Sequence, residues 1–185
     1  MPYKESTPPH FSAALIVEDC MIHEYHQGVG IVYQPQNGRG LLQVSNSQIF
    51  DNLEGILVLP ASGQIASVTL NNVELVGNGT RITFGSSGVV AGTMRNSVVG
   101  ENAGDGILAQ ASQVFFTVEE SSVVDNLVNG IHTNSAGSVV NVGNSTIGGN
   151  GTGVLASNGS LISFGNNQMS ANGTNGNFTS TTALR

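Results

Sequence analysis

One asparagine recurs along this chain at a nearly constant interval, and this repeat constrains the fold more than any other feature. The recurring residues are Asn52, Asn78, Asn102, Asn126, Asn150 and Asn172. Successive members lie 26, 24, 24, 24 and 22 residues apart. A period of this length is typical of architectures in which similar units stack on one another. The sequence therefore predicts a repeat protein.

Other residue types recur with the same period, each at a fixed distance from this asparagine. Each set of equivalent positions is called a column below. Three positions before the asparagine stand the apolar residues Ile49, Leu75, Val99, Val123, Ile147 and Met169, and eight positions before it stand Val44, Leu70, Met94, Val118, Val142 and Phe164. Six positions before it stand Asn46, Asn72, Asn96, Glu120, Asn144 and Asn166. Alternating apolar residues indicate short strands, and no segment has a helical period. We predict an all-β fold, a right-handed parallel β-helix (a single-stranded solenoid) of about seven coils stacked ~4.8 Å apart.

The charge balance and the single cysteine limit the possible partners. Lys and Arg number 5 against 12 Asp and Glu, a net charge of -7, so no basic surface is available for nucleic acid or for a membrane surface. Cys20 has neither a disulfide partner nor a zinc-binding set. The first residues lack the apolar run of a signal peptide, so we expect a cytoplasmic protein as expressed.

The columns also predict the domain organisation. Residues 1–10 form an amino-terminal extension, residues 11–174 the parallel β-helix, and residues 175–185 a polar carboxy-terminal cap. The uncovered edge of a first coil invites pairing with another chain. We therefore expect that edge either to be shielded by the extension or to be buried in a homodimer through the amino-terminal coil.

The segment VEDCMI at residues 17–22, the repeated coils and the final 42 residues from Asn144 resemble bacterial right-handed parallel β-helix repeat proteins, within the pectate-lyase-like superfamily. The resemblance begins near Leu15. Members of that family usually carry a signal peptide and further coils, so the resemblance implies a chain shortened at the amino terminus and an extracellular location. Related β-helices include polysaccharide lyases, glycoside hydrolases and carboxylic-ester hydrolases, whose catalytic signatures are not intact in this sequence.

The position just before each ladder asparagine is rich in acidic residues. Down the coils it reads Glu24, Asp51, Gly77, Glu101, Asp125, Gly149 and Ala171. Glu24 therefore stacks on Asp51, and Glu101 on Asp125, at about one coil spacing of ~5 Å. Three interpretations stay open: Ca²⁺ sites formed by the two pairs, the carboxylate pair of a retaining glycosidase, or solvated turn carboxylates without a partner.

The corner HEYHQG adds candidate catalytic residues. His23, Tyr25 and His26 flank Glu24, and a histidine beside carboxylates can act as a general base or bind a metal. We take Glu24, His26, His23 and Asp51 as candidate catalytic residues, with Glu54 close to Asp51. His132 stands alone on an outward row and is interpreted as a surface residue. The regular column of Ser47, Ser97, Ser121 and Ser145 is interpreted as structural.

Two functions fit these features. The first is a non-catalytic β-helix module that binds carbohydrate or a protein partner. The alternative is a small Ca²⁺-assisted hydrolase or lyase acting on a polysaccharide, an ester or a lactone at the corner that holds Glu24 and Asp51. Ca²⁺ is the one cofactor that the carboxylate pairs suggest.

Overall fold

The computed structural model describes residues 12–182, and within them it contains strands and no helix. The strands are β1 (Ala13–Glu18), β2 (Met21–His23), β3 (Val29–Tyr33), β4 (Arg39–Phe50), β5 (Glu54–Val58), β6 (Ile65–Val76), β7 (Thr80–Phe84), β8 (Val89–Arg95), β9 (Val98–Gly100), β10 (Ile107–Ala109), β11 (Gln113–Glu119), β12 (Ser122–Val124), β13 (Asn129–Thr133), β14 (Ser138–Gly143), β15 (Thr146–Gly148), β16 (Thr152–Ala156), β17 (Ser160–Ser163), β18 (Gln168–Ser170), β19 (Thr174–Gly176) and β20 (Ser180–Thr181). No helix in the described range could cross a membrane.

These strands wind into a parallel β-solenoid of about seven coils, as the sequence predicts. One sheet has 13 strands and the other has seven, and every strand pair is parallel. The larger sheet covers two faces, because β4 and β6 continue from the first face around a corner onto the second. The third face is the seven-stranded sheet, in the order β19-β16-β13-β10-β7-β5-β3. Coil 1 contains β1–β3, coil 2 contains β4 and β5, and coil 3 contains β6 and β7. Coils 4 to 7 contain three strands each, from β8–β10 to β17–β19.

The predicted apolar columns form the core. Ile49, Leu75, Val99, Val123 and Ile147 are fully buried at successive levels of one column. The Phe84 and Phe116 rings contact each other at 4.6 Å between centroids. Nearly continuous apolar ladders of this kind supply most of the burial that stabilises a solenoid.

One register prediction is wrong in the last coil. Val142 pairs with Ser163, which is buried, whereas Phe164 is only half-buried. The buried apolar residue of β17 is Leu161, beside Val140. The extra residue lies at the following corner, where Gly165 has a φ of 84°. A shift of one residue in a strand exchanges its inward and outward side chains.

The ladder asparagines hold consecutive coils together through buried hydrogen bonds. The Asn126 side-chain amide donates to Asn150 Oδ1 at 2.8 Å and to the Val99 carbonyl at 3.2 Å. Its Oδ1 accepts from the Asn102 amide at 2.8 Å and from the Asn102 backbone N–H at 3.4 Å. Each asparagine therefore satisfies polar groups at a corner where the strand ladder is interrupted.

The serine column has the same structural role, which confirms its interpretation. Ser97 donates its hydroxyl proton to the Arg95 carbonyl at 2.6 Å and accepts the Val73 backbone N–H at 3.1 Å. Ser121 and Ser145 repeat this pattern on the next two coils. Cys20 takes the corresponding position on the first coil, where its thiol is exposed and contacts the Glu18 carbonyl at 3.1 Å.

The two ends of the described solenoid differ. In coil 1, Leu15 and Ile22 are only partly buried, and the buried Tyr33 hydroxyl donates to the Ala13 carbonyl at 3.0 Å. Burial raises the pKa of Tyr33 above its ordinary value, although a backbone hydrogen bond with Leu41 lowers it in part. The predicted extension at residues 1–10 lies outside the described residues, and the homodimer through this coil stays a prediction.

At the other end, strand pairing continues into the segment predicted as a cap. β19 pairs with β16, and β20 pairs with β17. Phe178 packs against the core, and the Thr179 hydroxyl donates to the Leu161 carbonyl at 2.8 Å. The last apolar layer is therefore covered by a partial turn of the same solenoid.

The ladder predicts a large loss of stability when one asparagine is removed from its centre. Asn126→Ala leaves the amide of Asn102, the oxygen of Asn150 and the Val99 carbonyl without this partner in a buried corner. We expect a loss of about 2–4 kcal/mol in the free energy of unfolding by urea denaturation. The control Asn177→Ala, at an exposed position, should change it by less than about 0.5 kcal/mol. Equal effects of both variants would contradict the role of the ladder.

Candidate functional site

The acidic column lies at the corner between the second and third faces, and backbone conformation explains part of its composition. Every member has a positive φ, from 54° at Asp51 and Asp125 to 69° at Gly149. Glycine adopts this left-handed conformation freely, and Asp adopts it more readily than most other residues. Asp51 and Asp125 therefore occupy positions that the backbone itself favours.

The two glutamates of the column have no such explanation. Glu24 has a φ of 66° and Glu101 a φ of 55°, although Glu has no special preference for left-handed backbone. Both side chains are exposed, so packing does not require them. Residues that are kept in an unfavourable conformation without a packing role are often functional. Glu24 and Glu101 are thus stronger candidates than the two aspartates.

The two aspartate carboxylates of the column each lie beside a glycine of the following coil. The Asp51 carboxylate lies near the Gly77 backbone of the following coil, where a Cβ atom would stand 3.4 Å from Oδ1. The Asp125 carboxylate lies against Gly149 in the same way, on the side away from Glu101. Glycine at these two positions leaves room for the carboxylate above it. Asp51 is therefore directed toward the coils that carry Gly77 and Glu101.

Asp51 and Glu101 line one groove on the second face. It is about 360 Å³ in volume and spans coils 2, 3 and 4. Its lining residues are Gln48, Phe50, Asp51, Glu74, Val76, Gly77, Val98 and Glu101. Gln48 donates its amide to Glu74 Oε2 at 2.7 Å. This surface, called the acidic groove below, combines an apolar strip with three carboxylates and an amide.

The HEYH corner lies at one end of the acidic groove. The His23 ring stacks on Phe50 with centroids 4.8 Å apart and planes 1° from parallel, because these residues are partners in adjacent strands. His23 Nδ1 lies 3.4 Å from Glu24 Oε1, an ion pair when the ring is protonated. Tyr25 is 57% exposed, and His26 is exposed. The structure thus brings together His23 and Glu24 at this corner.

The described residues contain no group of three or more His, Cys, Asp or Glu side chains arranged to hold a metal ion. The proposed Ca²⁺ pairs, Glu24 with Asp51 and Glu101 with Asp125, each supply two carboxylates. Backbone carbonyls and water would have to complete a coordination shell of six to eight oxygen atoms. These pairs stay predictions.

A second cluster, on the third face, was missed by the sequence analysis. His132 Nδ1 lies 3.2 Å from Asp105 Oδ2, and His132 Nε2 lies 2.9 Å from Ser157 Oγ. Asn129 donates its amide to Asp105 Oδ1 at 2.7 Å, and Arg81 Nη1 lies 3.9 Å from Asp105 Oδ2. The interpretation of His132 as an isolated surface residue is therefore wrong, since its side chain is 15% exposed and joined to both neighbouring coils.

The signal that could have revealed this cluster was a break in the repeat. Arg81 stands where the adjacent coils have Gly55 and Gly106, and it breaks the recurring Gly-Ile step. His132 stands between Leu108 and Leu155 on its row. Neither Arg81 nor His132 is unusual within its own coil. Only an alignment of the coils shows that both replace the residue type of their column and that they lie close together.

No family model matches this chain, and the comparisons found neither a curated protein nor a solved structure that is similar to it. The parallel β-helix itself is established by strand order and register. The relationship to the pectate-lyase-like superfamily and the bacterial origin stay predictions from the resemblance.

The backbone of the acidic column predicts that Glu101 lowers the stability of the fold. Glu101→Gly removes the backbone strain of a residue with a side chain at positive φ. We therefore expect the free energy of unfolding to rise by about 0.5–1 kcal/mol in urea denaturation. The matched control is Glu74→Gly, on the same groove but within β6, which should lower stability by a similar amount because glycine weakens a strand. Destabilisation by Glu101→Gly would contradict the argument.

Proposed function

We propose that this β-helix binds an extended carbohydrate in the acidic groove, which serves as a non-catalytic binding surface. The observation that carries the proposal is the composition of this groove. Phe50, Val76 and Val98 offer apolar surface, and Asp51, Glu74 and Glu101 border it with carboxylates. Sugar rings present apolar C–H surfaces and hydroxyl groups side by side. Such a ligand can bury its C–H surfaces against the apolar side chains and donate hydrogen bonds from its hydroxyl groups to the carboxylates.

The shape of the groove favours an elongated ligand. Its lining comes from the same short segment of three consecutive coils, namely residues 48–51, 74–77 and 98–101. The groove therefore runs along the stacking axis, with one set of contacts from each coil. A polymer of similar units can place successive units on successive coils, which adds affinity without any single deep pocket.

The charge of the groove selects among polysaccharides. Three carboxylates line it, and Glu24 lies at the neighbouring corner of coil 1. A polyuronate would bring further negative charge and would be repelled unless a cation lay between the two. The groove therefore suits a neutral glycan, or an amino-sugar polymer whose ammonium groups pair with the carboxylates. A basic segment of a protein partner is the other occupant that this charge would accept.

The proposal predicts that groove carboxylates matter for binding and that other corner carboxylates do not. The combined variant Asp51→Asn and Glu101→Gln removes two charged acceptors and should weaken binding at least tenfold, since such hydrogen bonds contribute about 1.5–3 kcal/mol each. Isothermal titration calorimetry with glucan, mannan, xylan and chitosan oligosaccharides measures the effect. Asp125→Asn is the matched control, because Asp125 has the same φ as Asp51 but lies outside the groove.

Binding of one of these glycans that Asp125→Asn leaves unchanged would support the proposal. Absence of binding to all four would reject carbohydrate as the ligand. Binding to a basic peptide instead, with the same dependence on Asp51 and Glu101, would favour a protein partner. An equal loss in Asp125→Asn would mean that general negative charge, not the groove, determines binding.

A Ca²⁺-assisted hydrolase or lyase is the second candidate, favoured by the contact between His23 Nδ1 and Glu24 Oε1. A cation held by Glu24 and Asp51 would polarise a substrate carbonyl or activate water, while His23 or His26 moved a proton. The substrate would be a polysaccharide, an ester or a lactone. A polyuronate becomes acceptable in this case, because the cation would offset the repulsion of the groove.

This second candidate predicts that Ca²⁺ stabilises the protein. A free Ca²⁺ concentration of 100 times Kd should raise the free energy of unfolding by about 2.7 kcal/mol. Thermal unfolding with Ca²⁺, with Mg²⁺ and with EDTA measures this, and Glu24→Gln should abolish the response whereas Glu101→Gln should not. Identical melting curves in Ca²⁺ and EDTA, together with no chelator-sensitive turnover of pectic polysaccharides, would remove this candidate.

A further inference from the structure

The cluster on the third face links side chains from three consecutive coils. Asp105 precedes β10 in coil 4, His132 lies in β13 of coil 5, and Ser157 follows β16 in coil 6. Asp105 is 7% exposed at its side chain, His132 is 15% exposed, and Ser157 is an exposed residue. The buried carboxylate, the partly covered imidazole and the accessible hydroxyl thus form a line from the interior to the surface.

The hydrogen bonds in this line fix the role of each atom. An ionised carboxylate can only accept, so His132 Nδ1 carries the proton that faces Asp105 Oδ2 at 3.2 Å. In the neutral ring, Nε2 then has a free lone pair and accepts the Ser157 hydroxyl proton at 2.9 Å. A nucleophile, a base within hydrogen-bond reach and a buried group that orients the base are the three parts of an acyl-transfer site.

Stabilisation of the fold explains the contacts of Asp105 but not the contact between His132 and Ser157. The buried Asp105 carboxylate is held by the Asn129 amide at 2.7 Å and has the Arg81 guanidinium 3.9 Å away. These partners are sufficient for a buried acid in a coil corner. The contact between His132 Nε2 and the exposed Ser157 hydroxyl satisfies no buried group and contributes little to stability. It does place a base on a hydroxyl that solvent and substrate can reach.

The surroundings of Ser157 indicate the class of acyl group. A groove of about 480 Å³ begins at Ala156, the residue before Ser157, although Ser157 itself does not line it. Its lining combines Val154, Leu155, Ala156 and Phe178 with the polar residues Thr152, Thr174, Asn177 and Thr179. Asn158 donates its side-chain amide to Asn134 Oδ1 at 3.3 Å, so two carboxamides lie next to Ser157 on adjacent coils. The apolar part of the groove suits a short uncharged acyl chain, and the amide N–H groups are the donors available for a developing oxyanion.

We propose that Ser157, His132 and Asp105 form a site that hydrolyses small esters with uncharged, apolar acyl groups. Ser157 Oγ attacks the ester carbonyl carbon while its proton passes to His132 Nε2. The bond to the alcohol oxygen breaks, and His132 returns the proton to the departing alcohol. Water then attacks the acylated serine, gives its proton to His132, and Ser157 Oγ leaves with that proton. The products are one carboxylic acid and one alcohol.

The test uses the full chain, with p-nitrophenyl butyrate as substrate and an alkyl fluorophosphonate as covalent probe. The probe should form a bond between phosphorus and Ser157 Oγ with loss of fluoride, and peptide mass spectrometry locates the adduct. We expect Ser157→Ala and His132→Gln each to reduce ester hydrolysis about 100-fold or more and to lose the adduct. Ser112→Ala, which changes an exposed serine at the corresponding corner after β10 of coil 4, should change neither readout.

Thermal unfolding of each variant separates loss of chemistry from loss of fold, since Ser157→Ala removes only an exposed hydroxyl and should melt as the parent does. An adduct confined to Ser157, together with hydrolysis that depends on His132, would support the site. No adduct on Ser157 in the parent protein, or hydrolysis that survives Ser157→Ala, would overturn it. Glycan binding in the acidic groove should not change in Ser157→Ala, because the groove lies on a different face and shares no residue with this cluster.

Discussion

The asparagine ladder is the interaction on which the rest of this structure depends. At the corner between the second and third faces the regular strand pairing stops, and backbone groups of each coil face the interior without a strand partner. The asparagine side chain supplies both a donor and an acceptor there, as Asn126 does toward Val99 and Asn102. Because Asn102, Asn126 and Asn150 are at most 1% exposed, their amides have no water with which to exchange these bonds. The spacing of the coils is therefore fixed at the corner as well as along the sheets.

A corner held in this way also determines what the outer surface can offer. The chain must turn sharply just before each ladder asparagine, and it does so at positive φ in every coil from Glu24 to Ala171. Gly and Asp suit that conformation, so small or acidic residues accumulate along one edge of the solenoid. The acidic groove thus arises largely from the requirements of folding. Glu24, Glu101 and Ala171 depart from what the backbone favours. Of these three, only the two glutamates have a reactive side chain, and for this reason they carry more functional information than Asp51 or Asp125.

The sequence predicts those parts of the fold that repeat and misses those that do not. The asparagine, serine and apolar columns each repeat a single physical requirement many times, so their alignment gave the fold, the core and the ladders. The last coil broke the alignment because its extra residue falls at the corner of Gly165, and counting back from Asn172 gave the wrong inward residue in β17. The acidic column was predicted, but the direction of the Asp51 side chain was not, because it depends on the space left by Gly77 of the next coil.

The cluster of Asp105, His132 and Ser157 shows why a site in a solenoid is hard to see in the sequence. Its members are 27 and 25 residues apart and occupy different positions within their coils, so no local motif contains them. Stacking brings them together along a diagonal that crosses three coils. A repeat scaffold can tolerate such a departure because each coil contacts only its neighbours, so a substitution on an outward row disturbs the stack locally. Uniform columns therefore report on folding. Adjacent departures from several columns, as at Arg81 and His132, mark the places where a solenoid of this kind can form a reactive site.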